Sequence, residues 1–213
     1  MTRTVPERVL IDGSAGSIET VIELPVQVRG VALVCHPHPL FGGTLENKVA
    51  QTLAKVLREF GYASLRPNFR GVGYSAGTHD HGVAETEDML QVIQYGRQRF
   101  GELPVVLGGF SFGAYVQTRV AKRLTEAGAA ARRMVLVSTA CGLVTAGRNY
   151  IAEAVPADSI VIHGEQDDTV PLGRVFDWAR PQELPVVVVP GADHFFHRRL
   201  HLIRDIIQRC WQD

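Results

Sequence analysis

Short apolar runs recur along this chain, and stretches with helical periodicity lie between most of them. The runs are Val31–Cys35, Pro104–Leu107, Met134–Val137, Ser159–Ile162 and Val186–Val189. A strand that is apolar at successive positions cannot hold one face to water, so these runs belong in a sheet covered on both faces. The covering helices are legible too. Leu45, Val49, Leu53, Leu57 and Phe60 fall at helical spacing, and Gly61 stands where a C-terminal cap glycine belongs. Further helices are predicted over Asp80–Phe100, Ser111–Ala127, Leu172–Arg180 and Phe195–Trp211. Ala63–Arg66 is another strand. Arg8–Ile11, stopped by Asp12-Gly13, and Ile18–Leu24, stopped by Pro25, predict a pair of strands with the spacing of a hairpin. Strands alternating with helices predict an α/β fold around a mostly parallel sheet.

The length, 213 residues, suits a single domain over residues 1–213. Lys plus Arg and Asp plus Glu number 22 each, so the formal net charge is zero. That balance points to neither nucleic acid nor a membrane surface as a partner. No apolar run approaches the roughly 20 residues that cross a bilayer. The start, Met1–Arg8, lacks the apolar core of a signal peptide. Three cysteines, Cys35, Cys141 and Cys210, make neither a disulfide framework nor a Cys-x-x-Cys pair. The expectation is a cytoplasmic protein whose cysteines act as small hydrophobes.

Chemistry enters after the run at Val105. Gly109-Phe110-Ser111-Phe112-Gly113 sits between a strand and a helix, and this is G-x-S-x-G in the context it requires. The bare pentapeptide arises by chance in roughly one chain in ten or twenty of this size, so the context carries the argument. In a tight strand-to-helix turn the serine hydroxyl points clear of the backbone, and residues two positions away must be small because strand and helix nearly touch. Gly109 and Gly113 meet that need. The amide of Phe112 would then face a developing oxyanion at a helix start.

A serine hydroxyl needs a histidine to take its proton and a carboxylate to orient that histidine. In open α/β sheets such groups lie beyond the C-terminal ends of strands. Two apolar runs end in suitable segments. One is His163-Gly164-Glu165-Gln166-Asp167-Asp168-Thr169-Val170-Pro171, and the other is Gly191-Ala192-Asp193-His194-Phe195-Phe196-His197. The chain order is Ser, Asp, His, an order found in hydrolases of this kind.

With His36–Thr44 and Asn68–Ser75, these segments make the sequence resemble the α/β-hydrolase superfamily, near the small lidless hydrolases related to dienelactone hydrolase and the serine aminopeptidase-like proteins. The resemblance runs from residue 31 to the C-terminal helix. It implies an α/β-hydrolase fold with a central sheet of about eight strands and helices on both faces. It implies a catalytic Ser111, Asp167 and His194, with Asp168 competing for the acid and His197 a weaker base. Glu165 and Asp193 read as solvated carboxylates, and Arg70 as structural. Larger relatives insert a cap domain between the strand ending near Ser138 and the strand starting near Ser159. Only 20 residues lie between those positions here, enough for one short helix and no cap. An open site follows.

The second oxyanion donor is expected from the loop after the Val31–Cys35 strand. Relatives carry His-Gly-x-Pro there, whereas this chain has His36-Pro37-His38-Pro39. Proline has no N–H to give, which leaves the amide of His38 or, with another loop path, of Leu40. Leu40, Phe41, Gly42, Tyr74, Phe110 and Phe195 are candidates for the substrate pocket, with Phe112 and Phe196 as further apolar walls. His36/His38 and His79/His81 each have a metal-ligand spacing. Neither pair is completed by a nearby carboxylate or cysteine, so no metal and no cofactor are predicted.

These residues predict a serine esterase acting on a small ester or thioester. An aminopeptidase or amidase with the same three residues is the alternative, and a non-catalytic binding protein on the same fold is a weaker one. Fold alone does not choose between substrates.

Overall fold

The computed structural model describes residues 5–211. Strand β1 (Glu7–Gly13) folds back on β2 (Gly16–Glu23) as an antiparallel hairpin, with Gly13 paired to Gly16 across the turn. The parallel strands are β3 (Gly30–Cys35), β4 (Tyr62–Pro67), β5 (Val105–Phe110), β6 (Arg133–Val137), β9 (Ile160–Gly164) and β10 (Val186–Val189). The eight-stranded sheet has the order β1-β2-β4-β3-β5-β6-β9-β10, and β2 joins β4 antiparallel.

Helices cover both faces, as the apolar strands require. α1 (Lys48–Glu59) and α5 (Leu200–Cys210) bury one face over Ala32, Val34, Val106, Phe110 and Ile162. α2 (Val83–Phe100), α3 (Phe112–Glu126) and α4 (Leu172–Ala179) bury the other over Val31, Leu33, Leu107, Met134 and Val161. Alternate residues of β3 and β5 therefore feed two separate cores, a direct outcome of the two-residue period of a strand.

Two helices start later than the sequence spacing suggests. α2 begins at Val83 rather than Asp80, because the Glu85 carboxylate reaches back to accept the amides of Asp80 and Gly82, both at 2.8 Å. Residues Asp80–Gly82 are thereby held as a turn ahead of the first helical residue. α5 begins at Leu200 rather than Phe195. The chain turns at Phe196 (φ 53°) and Arg198 (φ 60°), and Asp193 accepts the amide of His197, so the segment before α5 is a knot of turns.

Between β6 and β9 there is no helix of the α type. A two-stranded ribbon stands there instead, β7 (Gly142–Leu143) against β8 (Asn149–Tyr150), joined through a short 3₁₀ turn. No helix among the described residues is long and apolar enough to cross a membrane.

Candidate active site

Because β3, β5, β6, β9 and β10 are parallel, the loops that follow them open at one edge of the sheet. The first of these loops to matter follows β5. Ser111 holds φ 55° and ψ −119°, a left-handed conformation unusual for a residue with a Cβ. Its backbone is pinned there. The Ser111 amide donates to Val137 O at 2.9 Å, and the Ser111 carbonyl accepts from Tyr115 N and Ala140 N. The flanking glycines allow the close approach. A Cβ on Gly109 would stand 2.6 Å from Ala114 N, and one on Gly113 would stand 2.4 Å from His36 O. A larger residue at Gly109 would force β5 from α3, and one at Gly113 would force α3 from the end of β3.

The loops after β9 and β10 also approach each other closely. A Cβ on Gly164 would come within 2.5 Å of Ala192 O. This contact places Asp167 beside His194. His194 Nδ1 donates to Asp167 Oδ2 at 2.8 Å, and Ser111 Oγ lies 3.0 Å from His194 Nε2. The other carboxylate oxygen of Asp167 accepts the amides of Thr169 and Val170, at 3.0 and 2.7 Å. Burial alone would raise the Asp167 pKa. The His194 hydrogen bond and charge and the Val170 amide outweigh it and hold the carboxyl below its ordinary range. An ionised Asp167 fixes the proton of His194 on Nδ1 and leaves Nε2 free to accept from the serine. Ser111 is only 6% exposed, so this chain of hydrogen bonds is shielded from water.

The structure thus brings Ser111, His194 and Asp167 together and leaves Asp168 outside. Asp168 is exposed, and its carbonyl accepts from Thr145 Oγ1. His197 is exposed as well and pairs with Asp193 at 2.6 Å. Glu165 accepts the Gly191 amide at the surface. Arg70 forms two hydrogen bonds to the buried Asp88 and a third to Ser14, tying the loop after β4 to α2.

None of the hydrogen bonds among the described residues uses the amides of Phe112 or His38. The Leu40 amide, by contrast, donates to His38 Nδ1 at 3.2 Å, so it is already occupied. The imidazoles of the two His-x-His pairs also have partners. His36 Nδ1 lies 2.6 Å from Pro37 O, and its Nε2 accepts from Phe69 N at 2.9 Å. The His38 ring packs against Phe41, His79 and Phe112, and His79 packs against His81. Among the described residues no group of three or more His, Cys, Asp or Glu is arranged to hold a metal.

A cavity of about 280 Å³ opens over Ser111 and His194. Three of the six residues expected in it line it, namely Phe41, Gly42 and Phe195. The other three stand elsewhere. Leu40 and Tyr74 point outward, 69% and 77% exposed. Phe110 is fully buried and supports the His194 ring from behind, with centroids 4.9 Å apart. Phe112 and Phe196 are likewise core residues. Pro37, His38 and Gly43 of the loop after β3 also line it, and the rest of the wall comes from residues that the sequence did not single out for it: Asn47, Thr145, Arg148 and Thr169. Thr145 and Arg148 belong to the β7–β8 ribbon. A signal was available for them, since this segment follows β6 at the same sheet edge.

A sheet of this order with a sharp serine turn after β5 and a histidine after the last strand is a serine-hydrolase-type α/β fold, without a lid. The matching family model, Hydrolase_4, described as serine aminopeptidase, S33, covers residues 27–157, and the chain belongs to that family. Solved structures agree. XC6422 from Xanthomonas campestris, an α/β serine hydrolase without lid, matches with a TM-score of 0.84 and 33% identity, over 96% of this chain and 93% of that one. An α/β serine hydrolase homologue from Coxiella burnetii matches with a TM-score of 0.84 and 36% identity, over 97% of each chain. The uncharacterized protein RP471 of Rickettsia prowazekii is 31% identical over 175 residues, 78% of this chain and 71% of its own.

Proposed function

We propose that this protein hydrolyses a carboxylic ester or thioester of a small substrate through an acyl-enzyme. The observation that carries the reading is the continuous hydrogen-bonded line from Ser111 Oγ through His194 to the ionised Asp167. In this mechanism His194 Nε2 takes the hydroxyl proton as Ser111 Oγ attacks the carbonyl carbon. The carbonyl oxygen becomes an oxyanion and is received by the amides of Phe112 and His38. That pairing is supported by the occupied amide of Leu40. Collapse expels the alcohol or thiol, which leaves with the proton from His194. Water then attacks the acyl-serine, gives its proton to His194, and the acid departs as Ser111 is reprotonated.

Each part has a known scale. A preorganised oxyanion donor contributes about 3–4 kcal/mol, and a positioned acid–base group about 10²–10⁴-fold. Asp167 acts by orientation and charge and keeps its own proton off throughout. The open cavity suits a small ester or the exposed end of a larger one.

The family's description makes amide cleavage the reading to test beside it. A panel of p-nitrophenyl esters of increasing acyl length, with matching p-nitroanilides, separates the two. Ester turnover that exceeds anilide turnover and vanishes in Ser111→Ala is expected. Turnover that survives Ser111→Ala, or none on any ester, would sink the esterase reading.

A further inference from the structure

We propose that Arg148 is a specificity-determining residue that selects substrates carrying an anionic group, a carboxylate or a phosphate, close to the scissile carbonyl. This rests on the ester-hydrolase reading and narrows its substrate class. Among the described residues lining the cavity over Ser111, Arg148 is the only Lys or Arg, and no Asp or Glu lines it. The only carboxylate of the hydrogen-bonded line, Asp167, is buried behind His194.

The guanidinium is held in place by groups that leave its charge uncompensated. It lies over the Phe41 ring, 4.3 Å from the centroid. Its Nε and Nη2 donate to the Thr145 carbonyl at 3.3 and 3.1 Å, and it also meets the Tyr150 hydroxyl. No carboxylate is among its partners in the described residues. Three other arginines are instead neutralised by carboxylates. Arg70 is tied to Asp88, Arg66 to Glu23 and Arg99 to Glu7. An unpaired guanidinium stacked on an aromatic ring is a preorganised fork for carboxylate or phosphate oxygens.

The rest of the cavity has the same sign. Asn47, which caps the start of α1, lines it, and Ser111 stands at the start of α3. Both helices thus present their positive ends to the cavity. The neighbouring His38 imidazole is pushed down to about 4, first by burial and then by the charges of His79 and Arg148, so Arg148 reaches into this site electrostatically. A substrate ammonium group would meet this field without a carboxylate to receive it.

The test compares mono-p-nitrophenyl glutarate with p-nitrophenyl pentanoate, which share acyl length and differ in the terminal carboxylate. The wild-type protein is expected to prefer the anionic ester. Arg148→Met is expected to lower the preference, the ratio of the two kcat/KM values, about 10- to 100-fold, as loss of a hydrogen bond to a charged group predicts. The loss should fall in KM, and Arg148→Lys should restore part of it. A phosphonate-terminated ester of the same length shows which anion the fork takes. A second arm needs no turnover: monomethyl glutarate titrated into Ser111→Ala protein, with and without Arg148→Met. Weaker binding in the double variant supports the proposal, and equal binding overturns it. Ser111-dependent turnover of the pentanoate ester with no preference for the anionic one overturns this proposal and leaves the esterase reading standing. Arg148-dependent binding without turnover of any ester does the reverse.

Discussion

Two buried histidines follow parallel strands of the same sheet, His36 after β3 and His194 after β10, and their surroundings give them opposite characters. Both ring nitrogens of His36 are spent on backbone, the Pro37 carbonyl and the Phe69 amide. Its ring meets Phe69 edge-on at 4.6 Å, and burial, the largest cause, pushes its pKa down to about 3. It is a neutral strut that fixes the loop after β3 to the loop after β4. His194 is equally buried, yet its nitrogens face a carboxylate and a hydroxyl. Burial makes an imidazole rigid, and the chemistry of its two partners decides whether it can carry a proton.

The largest break in this comparison is expected at the His194 line. Ser111→Ala and His194→Ala should each lower kcat by at least about 10³-fold, because the three residues act as a unit. His36→Ala should keep activity per folded molecule within about tenfold, since His36 touches neither Ser111 nor its partners. Equal losses at the two histidines, measured on protein verified as folded, would erase the distinction. Asp167→Asn should cost about 10²–10⁴-fold by permitting the wrong tautomer of His194. Asp168→Asn should leave the rate within a few-fold, because Asp168 is exposed and does not contact His194. The reverse ranking of these two variants would reassign the acid.

Smaller effects sharpen the His36 side. His36→Ala leaves the buried Phe69 amide without its acceptor and opens a void, so denaturant unfolding should show a loss of about 1–4 kcal/mol. The strut also sets a pH dependence. Its folded pKa of about 3 lies below that of a free imidazole, roughly 6.5. The unfolded chain therefore binds more protons between those values. Stability from this group is complete above about pH 6.5 and falls as pH drops toward 3, at up to about 1.4 kcal/mol per unit. His38, lowered to about 4, adds in the same sense. Urea midpoints followed from pH 7 to 4 should thus decline less steeply in His36→Gln than in the wild type. An identical slope would mean that His36 does not bury its neutral form.

Much of this could be read from the sequence, for identifiable reasons. The continuous apolar runs marked the parallel strands, and Gly109 and Gly113 marked the tight turn at Ser111. Gly164 and Asp167 marked one loop, because close backbone approach leaves a glycine signature, and Gly191, at φ 64°, and His194 marked the other. The late starts of α2 and α5 were hidden because apolar spacing runs on through the preceding turns, which Glu85 and Asp193 hold by hydrogen bonds three to five residues away. The pocket wall was less legible still. Strands of two residues carry no period, so β7 and β8 were invisible, and only the place of their segment after β6, at the active edge of the sheet, pointed to Arg148. Aromatic identity misled as well: Phe110 and Tyr74 looked alike as wall candidates, yet one is buried under His194 and the other faces solvent.

Labelling with a fluorophosphonate, followed by intact mass and peptide mapping, tests most directly whether His194 makes Ser111 a nucleophile. A single adduct is predicted, on the peptide containing Ser111. It should be absent in Ser111→Ala, strongly slowed in His194→Ala and Asp167→Asn, and formed at close to the wild-type rate in His36→Gln. No adduct, an adduct on another serine, or slowing in His36→Gln equal to that in His194→Ala would contradict the account.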